Sequence, residues 1–295
     1  MRRLLLLAVV SQAIMLPVKL MAEVMKLDEY RGWKGCYEIS NRDSRVILCP
    51  SAGGRILYFA IDGKNIIFEN EAFDGQLLAD MRRSRIWPDG GRFDIGPEDL
   101  PARMRDEVMM GTWSATQIDE YTVEMRFERE NPLGVYVVRR IELLRRGAKL
   151  RITQTMTNYT DQPVARHYWG RVFCRGGGVV ELPLDRGGRW GAMGGYSLDG
   201  AVEKGRVLEV SLDDVVRKIG TDSQRGWLRY RVDGLQITQR FTRYDGANYS
   251  DTDNFTTIFY SNEDLCELEP VSPTVELDPG ESDTFKQVWQ LKKID

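Results

Sequence analysis

Alternating apolar and polar positions, interrupted by short turn sequences, recur along most of the chain. Residues 55–61 are largely apolar and are followed by Asp-Gly-Lys-Asn at 62–65 and by apolar residues 66–68, a pattern that predicts a hairpin. The same pattern predicts further strands at 121–128, 135–144, 150–158, 164–174, 227–232, 235–241, 255–260 and 284–291. After the N-terminal segment, helical periodicity is confined to one short turn near 97–104, so the predicted class is all-β and mostly antiparallel.

The organisation of the chain favours a single domain after the N-terminal segment. Its 295 residues leave room for one large β domain or two smaller ones. An internal repeat and a Ser/Pro-rich linker are both absent, and the Gly-rich stretches at 175–178 and 187–195 match neither a P-loop nor a dinucleotide-binding motif. We therefore expect these stretches to be loops and residues 23–295 to form one domain.

The first 22 residues have the pattern of an export signal. A basic start is followed by the apolar run 4–10, and Ser11-x-Ala13 and Leu20-x-Ala22 are the two candidate cleavage sites. The apolar run falls short of the roughly 20 residues that a spanning helix needs. We expect a signal peptide at 1–22 and a periplasmic or secreted protein with no other membrane contact. An uncleaved anchor and a buried N-terminal segment are the alternatives.

The charge balance indicates which partners to exclude. The 41 basic and 44 acidic residues give a net charge of −3, with both signs spread along the chain, so a nucleic-acid partner is not expected. The densest basic run, residues 81–85, is interpreted either as a solvated edge or as a site for a phosphate or carboxylate.

The four cysteines allow two interpretations. Cys36 and Cys49 flank a predicted hairpin with its turn at 41–44, and they face each other if that turn is centred between residues 42 and 43. They form either a cross-strand disulfide or two buried thiols. Cys174 and Cys266 lie far apart in the sequence. With no Cys-x-x-Cys pair and a single histidine, we expect neither a metal nor another cofactor.

The segment 265–270 places two carboxylates on one face of a predicted strand. Because side chains alternate along a strand, Glu267 and Glu269 share a face with Leu265, while Cys266 and Leu268 face the other way. Apolar surroundings tune a carboxylate as a general base. Glu269 is the first candidate for this base and Glu267 the second. The alternative is that both are surface acids that face water.

His167, the only histidine, lies in a predicted strand beside Tyr168 and Trp169. Imidazole gives and takes protons near neutral pH, which makes His167 a candidate general acid. The alternative is a structural, half-buried histidine. The chain lacks a Gly-x-Ser-x-Gly elbow, which disfavours acyl transfer.

Several residues have the chemistry to bind a polyhydroxylated substrate. Arg55 follows a tight Ala-Gly-Gly turn and is a candidate to hold substrate hydroxyls or a catalytic carboxylate. Trp87 and Trp169 offer flat apolar faces with an indole N–H that suit a sugar ring. Asp214 is a candidate acceptor for a hydroxyl. The alternatives are an edge salt bridge for Arg55, core packing for the tryptophans and a turn role for Asp214.

Three motifs carry a family resemblance that covers most of the chain after residue 22. They are 53–56 at the start of a sheet, 157–163 before the His167 strand, and 267–273 leading into 277–282. With these motifs the chain resembles the galactose mutarotase-like superfamily of aldose epimerases. The resemblance implies a β-supersandwich with a sugar on its concave face, a Glu that deprotonates the anomeric hydroxyl and a His that protonates the ring oxygen. By position these would be Glu269 and His167, with Arg55 holding substrate.

The chain departs from this superfamily at its histidines. The resemblance implies a second active-site His, which this chain lacks, and a His-x-Tyr-Phe motif where 167–170 reads His-Tyr-Trp-Gly. We therefore expect a carbohydrate-binding protein, a monomer with a mono- or oligosaccharide partner, with aldose 1-epimerase (isomerase) activity. The alternative is a non-catalytic sugar-binding or accessory module in polysaccharide degradation.

Overall fold

The computed structural model describes residues 23–78, 89–97, 100, 102–244, 246, 247, 249 and 252–294. The predicted export signal at 1–22, Trp87 and the basic run 81–85 lie outside the described residues. Among the described helices, none is long and apolar enough to cross a membrane.

Strands dominate the described part of the chain. In chain order they are β1 (Glu23–Tyr30), β2 (Trp33–Ser40), β3 (Arg45–Cys49), β4 (Arg55–Ile61), β5 (Lys64–Asn65), β6 (Gly91–Gly96), β7 (Ser114–Asp119), β8 (Thr122–Phe127), β9 (Val135–Leu143), β10 (Lys149–Asn158), β11 (Val164–Arg175), β12 (Val179–Pro183), β13 (Trp190–Ala192), β14 (Ala201–Lys204), β15 (Val207–Ser211), β16 (Arg217–Thr221), β17 (Trp227–Val232), β18 (Leu235–Phe241), β19 (Thr257–Ser261), β20 (Leu265–Pro270), β21 (Val275–Leu277) and β22 (Ser282–Lys293). One helix, α1 (Ala102–Met110), and two short 3₁₀ turns, Pro50–Ala52 and Glu71–Phe73, complete the described elements.

The strands form two antiparallel sheets. The larger, of 12 strands, has the order β1-β2-β3-β4-β6-β11-β20-β19-β16-β13, with β5 beside β4 and β21 beside β11. The smaller, of 10 strands, has the order β14-β15-β12-β17-β18-β22-β10-β9-β8-β7. This architecture confirms the predicted all-β, mostly antiparallel sandwich.

The main hydrophobic core lies between the two sheets, and aromatic pairs join them across it. Phe93 of β6 stacks on Trp289 of β22 with ring centroids 5.7 Å apart. Tyr168 of β11 stacks on Phe285 of β22 at 5.4 Å. Such pairs add about 0.5–1.5 kcal/mol each beyond the area that they bury. They hold β6 and β11 with one face on the core, so the opposite face of these strands is left for other contacts.

The strand predictions hold at several boundaries and are wrong at others. Strands 55–61, 227–232 and 235–241 are confirmed to the residue. The turn after β4 is shorter than predicted, because Asp62 (φ 47°) and Gly63 (φ 76°) close it alone and leave β5 to pair with residues 60 and 61. The helix α1 is longer than the single predicted turn, and β13 lies within the predicted loop 187–195.

Both cysteine pairs lie opposite each other on neighbouring strands. Ser40 pairs with Arg45 and Tyr37 with Leu48, so the predicted turn position is confirmed and Cys36 faces Cys49. Both are buried free thiols in the structure, which agrees with the interpretation as two thiols and not with a cross-strand disulfide. Cys174 and Cys266, which are far apart in sequence, are direct partners of β11 and β20 and are also free thiols.

Candidate functional site

The outer face of the larger sheet carries the predicted catalytic residues. On β11, Tyr168 and Val172 point into the core between the sheets, so His167, Trp169 and Arg171 point the other way. On β20, Cys266 and Leu268 belong to the same core, and Glu267 and Glu269 point outward as the sequence pattern predicts. We call this outer surface of β6, β11, β20, β19 and β16 the site face.

Strand β6 adds residues that the sequence prediction did not include. Its core-facing residues are Phe93 and Ile95, which leaves Arg92, Asp94 and Gly96 on the site face. The register of β6 and β11 places Gly96 opposite His167, Asp94 opposite Trp169 and Arg92 opposite Arg171.

Gly96 makes room for the imidazole of His167. A Cβ at position 96 would lie 1.4 Å from Nε2 of His167 and 1.8 Å from its Cδ2. The His167 ring therefore lies across the backbone of β6, in space that any other residue at 96 would fill. His167 is 1% exposed, so its position is determined by this packing rather than by solvent.

Glu269 and Trp169 form the centre of the site. The indole Nε1 of Trp169 donates a 2.6 Å hydrogen bond to Oε2 of Glu269, and the Glu269 side chain is fully buried. The edge of the same indole meets the His167 ring at an interplanar angle of 83°, with centroids 5.5 Å apart. Trp169 thus lies between the predicted base and the predicted acid. Its indole N–H, expected to be available to a sugar, is already used by Glu269.

Arg171 bonds two carboxylates of the site face and lies near a third. Its Nε donates a short hydrogen bond to Oε1 of Glu267, and its Nη1 donates to Oδ2 of Asp94 at 3.1 Å. Burial acts to lower the pKa of Arg171, but the attraction of Glu267, Asp94 and Glu269 outweighs it and raises this pKa well above its ordinary value. Arg171 is therefore a permanent positive charge beside the predicted base.

Apolar residues and a lysine surround the Trp169 ring. Phe255, Ile258 and Val271 form a buried cluster with it, and Nζ of Lys218 lies 5.3 Å from the ring centroid. In register, Glu267 pairs with Tyr260 and Tyr260 with Lys218. Tyr260 and Lys218 are half-buried, so the site face is enclosed at the β20 carboxylates and more exposed toward β16.

Arg55 lies on β4, which pairs with β6, and its guanidinium is fully buried. Its Nη2 donates a short hydrogen bond to Sδ of Met110 in α1, and its Nη1 lies 3.6 Å from Oδ2 of Asp89. Burial, together with the nearby positive charge of Arg92, lowers the pKa of Arg55 to about 10. The structure thus places Arg55 in an internal ion pair beneath α1, and its predicted contact with substrate stays a prediction.

The other predicted binding residue that is described, Asp214, is exposed in the loop between β15 and β16. Its neighbour Asp213 accepts a 2.6 Å hydrogen bond from Nη1 of Arg217. Trp87 is outside the described residues.

The sequence prediction missed Arg92, Asp94 and Arg171, although a pattern pointed to each. Residues 91–96 alternate polar and apolar, which would have placed Arg92 and Asp94 on one face of a strand. Arg171 follows His167 and Trp169 at the same spacing of two. What the sequence did not reveal is that β6 and β20 lie on either side of β11.

Comparison of the sequence with protein-family models and with curated protein sequences finds no match. The structure is similar to solved structures at low identity. A protein from Synechocystis sp. PCC 6803 aligns with a TM-score of 0.63 at 15% identity over 91% of this chain and 100% of that one. A galactose mutarotase-like protein from Clostridium acetobutylicum aligns with a TM-score of 0.62 at 11% identity, over 93% of this chain and 99% of that one.

A galactose 1-epimerase from Lactobacillus acidophilus NCFM aligns with a TM-score of 0.59 at 12% identity, over 94% of this chain and 100% of that one. At such identities the likeness establishes a fold, and it extends over nearly the full length of both chains in each pair. The chain therefore has the β-supersandwich fold of the galactose mutarotase-like proteins.

Proposed function

We propose that the protein binds a carbohydrate on the site face and interconverts its anomers as an aldose 1-epimerase. Glu269 takes the proton of the anomeric hydroxyl, the bond between C1 and the ring oxygen breaks, and His167 delivers a proton to that oxygen. Rotation about the C1–C2 bond followed by the reverse transfers closes the ring as the other anomer. The observation that carries this proposal is the placement of Glu269 and His167 on either side of Trp169.

The surroundings of Glu269 suit a base that must be held still. The Trp169 hydrogen bond fixes one carboxylate oxygen, and the charge of Arg171 lies nearby. Buried hydrogen-bond partners pre-orient a reacting group, which lowers the cost of reaching the transition state. The fold that the chain shares with a galactose 1-epimerase supports the same reaction.

The test is anomer exchange followed by polarimetry or NMR, starting from single anomers of a hexose panel. Positioned acids and bases contribute typically 10²–10⁴-fold to rate, so we expect Glu269→Gln and His167→Asn each to slow exchange by about that factor. Asp28→Asn, an exposed change on β1, is the matched control. Equal rates in the wild type and both site variants would remove the catalytic assignment.

A second candidate is a sugar-binding module without turnover. It is favoured by the single histidine, because the family resemblance implies two. Calorimetry separates the candidates. A module binds its sugar while the rate of anomer exchange stays at the uncatalysed value, and Glu269→Gln then changes affinity alone.

We also propose that residues 1–22 direct export to the periplasm or the medium. The support is the basic start and the apolar run at 4–10. Cell fractionation and mass spectrometry of the mature protein test this. An N-terminus after Ala13 or Ala22 in an exported fraction is expected, whereas a full-length protein in the cytoplasm contradicts it.

A further inference from the structure

Arg92 is a buried guanidinium with donors that the protein leaves unused. It is 5% exposed, its Nη2 is 3.5 Å from Oδ2 of Asp94, and its Cζ lies 5.1 Å from the centroid of the Phe173 ring. Within the described part of the chain, its Nε and Nη1 are buried and have no hydrogen-bond acceptor. Buried donors are paired in most proteins, so two unpaired donors on a side chain of the site face call for an acceptor that a ligand or water would supply.

Asp94 presents the complementary acceptor. Its Oδ2 is engaged by Arg171 at 3.1 Å and lies near Arg92, whereas its Oδ1 is buried with no donor among the described residues. Burial acts to raise the pKa of Asp94, but Arg92, Arg171 and Arg105 outweigh it and lower this pKa. The side chain is therefore a carboxylate at neutral pH, with one oxygen to offer.

The unused groups lie beside the proposed reaction centre. Asp94 is the register partner of Trp169, which holds Glu269, and Arg92 is the partner of Arg171. Gly96, two residues after Asp94 on β6, lies under the His167 ring. A ligand that reaches Glu269 and His167 thus has Arg92 and Asp94 on the neighbouring strand.

The combination of donors and an acceptor selects the chemistry of the ligand. A pair of adjacent hydroxyls accepts from the guanidinium and donates to the carboxylate at once, as no simple anion does. The surrounding charges do not select between neutral and acidic sugars, because four positive groups (Arg92, Arg105, Arg171 and Lys218) lie around the three carboxylates of Asp94, Glu267 and Glu269.

We propose that Arg92 and Asp94 form a hydroxyl-recognition subsite that binds a sugar through two adjacent ring hydroxyls. Arg92 donates to one hydroxyl from Nε or Nη1, and Oδ1 of Asp94 accepts from the other. The subsite rests on the proposed function, because it presumes that a sugar occupies the site face. It extends that function by naming the residues that recognise the ring hydroxyls of the sugar.

The experiment is calorimetry of the full chain with neutral hexoses, their 2-, 3- and 4-deoxy analogues, a uronic acid and a hexose 6-phosphate. For the wild type we expect binding of a neutral hexose, and a loss of about tenfold or more when either recognised hydroxyl is removed. Asp94→Asn and Arg92→Lys should each weaken binding of the parent hexose by a similar factor and bring the affinities of parent and deoxy sugars together. Asp28→Asn is the control.

The possible results separate the two proposals. If the wild type binds a hexose but tolerates every deoxy analogue equally, the subsite is wrong, and this result does not depend on how any variant folds. Unchanged affinity in folded Asp94→Asn and Arg92→Lys overturns the subsite in the same way, leaving waters as the partners of the buried atoms. Binding of the uronic acid or phosphate that is unchanged in Asp94→Asn and Arg92→Lys also overturns the subsite. If no sugar binds the wild type, the proposed function fails, and the subsite fails with it.

Discussion

Oε2 of Glu269 accepts a 2.6 Å hydrogen bond from the indole Nε1 of Trp169, and the same indole meets the ring of His167 edge to face. Trp169 was predicted to stack on a sugar ring. In the structure its indole N–H is instead bonded to Glu269, the predicted base. Its ring is packed against Phe255, Ile258 and Val271, which places it within the framework of the site. We infer that Trp169 acts as a positioning residue that holds Glu269 in place.

Trp169→Phe should slow the proposed anomer exchange more than it weakens sugar binding. The change keeps an aromatic ring but removes the N–H donor, and a hydrogen bond to a charged group is worth about 1.5–3 kcal/mol. We expect kcat to fall by about tenfold or more, with a smaller change in KM. Trp227→Phe, on β17 of the other sheet, is the matched control. Equal effects of the two changes would contradict a positioning role.

Gly96→Ala should displace His167. The added Cβ would lie 1.4 Å from Nε2 of His167, so the ring must move or β6 must separate from β11. Overpacking of this kind costs typically about 1–3 kcal/mol, and we expect a lower midpoint of urea unfolding together with loss of anomer exchange. Gly191→Ala is the control, because there the nearest atom to the new Cβ is 4.0 Å away. A Gly96→Ala protein as stable and active as the control would show that the His167 ring is not confined as described.

The buried ion pair of Arg55 and Asp89 should be sensitive to loss of either partner. Both side chains are 0% exposed, and loss of one partner costs about 3–5 kcal/mol in buried pairs where the other charge is left uncompensated. Here Asp89 keeps Arg31, whose Nη1 lies 3.3 Å from its Oδ1. We therefore expect Arg55→Met to lower the free energy of urea unfolding by less than that, but by more than the loss of an exposed ion pair. Arg126→Met is the control for an exposed site. It removes the ion pairs with Glu124 and Glu128 and should lower the free energy of unfolding by about 0–1 kcal/mol per pair.

The same variant addresses the predicted substrate contact of Arg55. If folded Arg55→Met retains the sugar affinity of the wild type, the arginine has a structural role alone. A selective loss of affinity at conditions where the variant is folded would support contact with substrate.

Acidification should affect Asp94 and Asp89 with opposite signs. The folded-state pKa of Asp94 is lowered, since its arginine neighbours outweigh burial, so its contribution to stability is present above the unfolded pKa of about 3.9 and is lost as the pH falls toward the folded value. Burial raises the folded-state pKa of Asp89 despite Arg55 and Arg31, so protonation of Asp89 favours the folded state as the pH falls. Asp94→Asn should therefore flatten the loss of unfolding free energy below about pH 4.

Asp89→Asn should steepen that loss, because it removes a group that takes up its proton first in the folded state. Urea titrations of the wild type and both variants between about pH 3 and pH 6 measure the two slopes. Slopes that change in the same direction in both variants would contradict the assigned signs.

Local periodicity determined much of this protein from the sequence alone. The run of apolar residues in β4 and the turn residues after it placed that strand correctly at Arg55–Ile61. The period of two in β20 assigned Glu267 and Glu269 to one face and Cys266 to the other. These features depend on residues close together in the chain, because side chains alternate along any extended strand.

The tertiary structure decided which strands became neighbours. β20 is about a hundred residues from β11 in sequence, and β6 is about seventy residues away, yet the three are adjacent in the larger sheet. Their adjacency brings Trp169 to Glu269 and Arg171 to Asp94, and it pairs Cys174 with Cys266. The period of two predicts which face of a strand a side chain occupies. It does not predict which strand will lie beside it, because strand order is set by packing of the whole core. The sequence therefore identified Glu269, Glu267, His167 and Trp169 one by one, and only the fold assembled them into a site with Arg92, Asp94 and Arg171, which the sequence prediction missed.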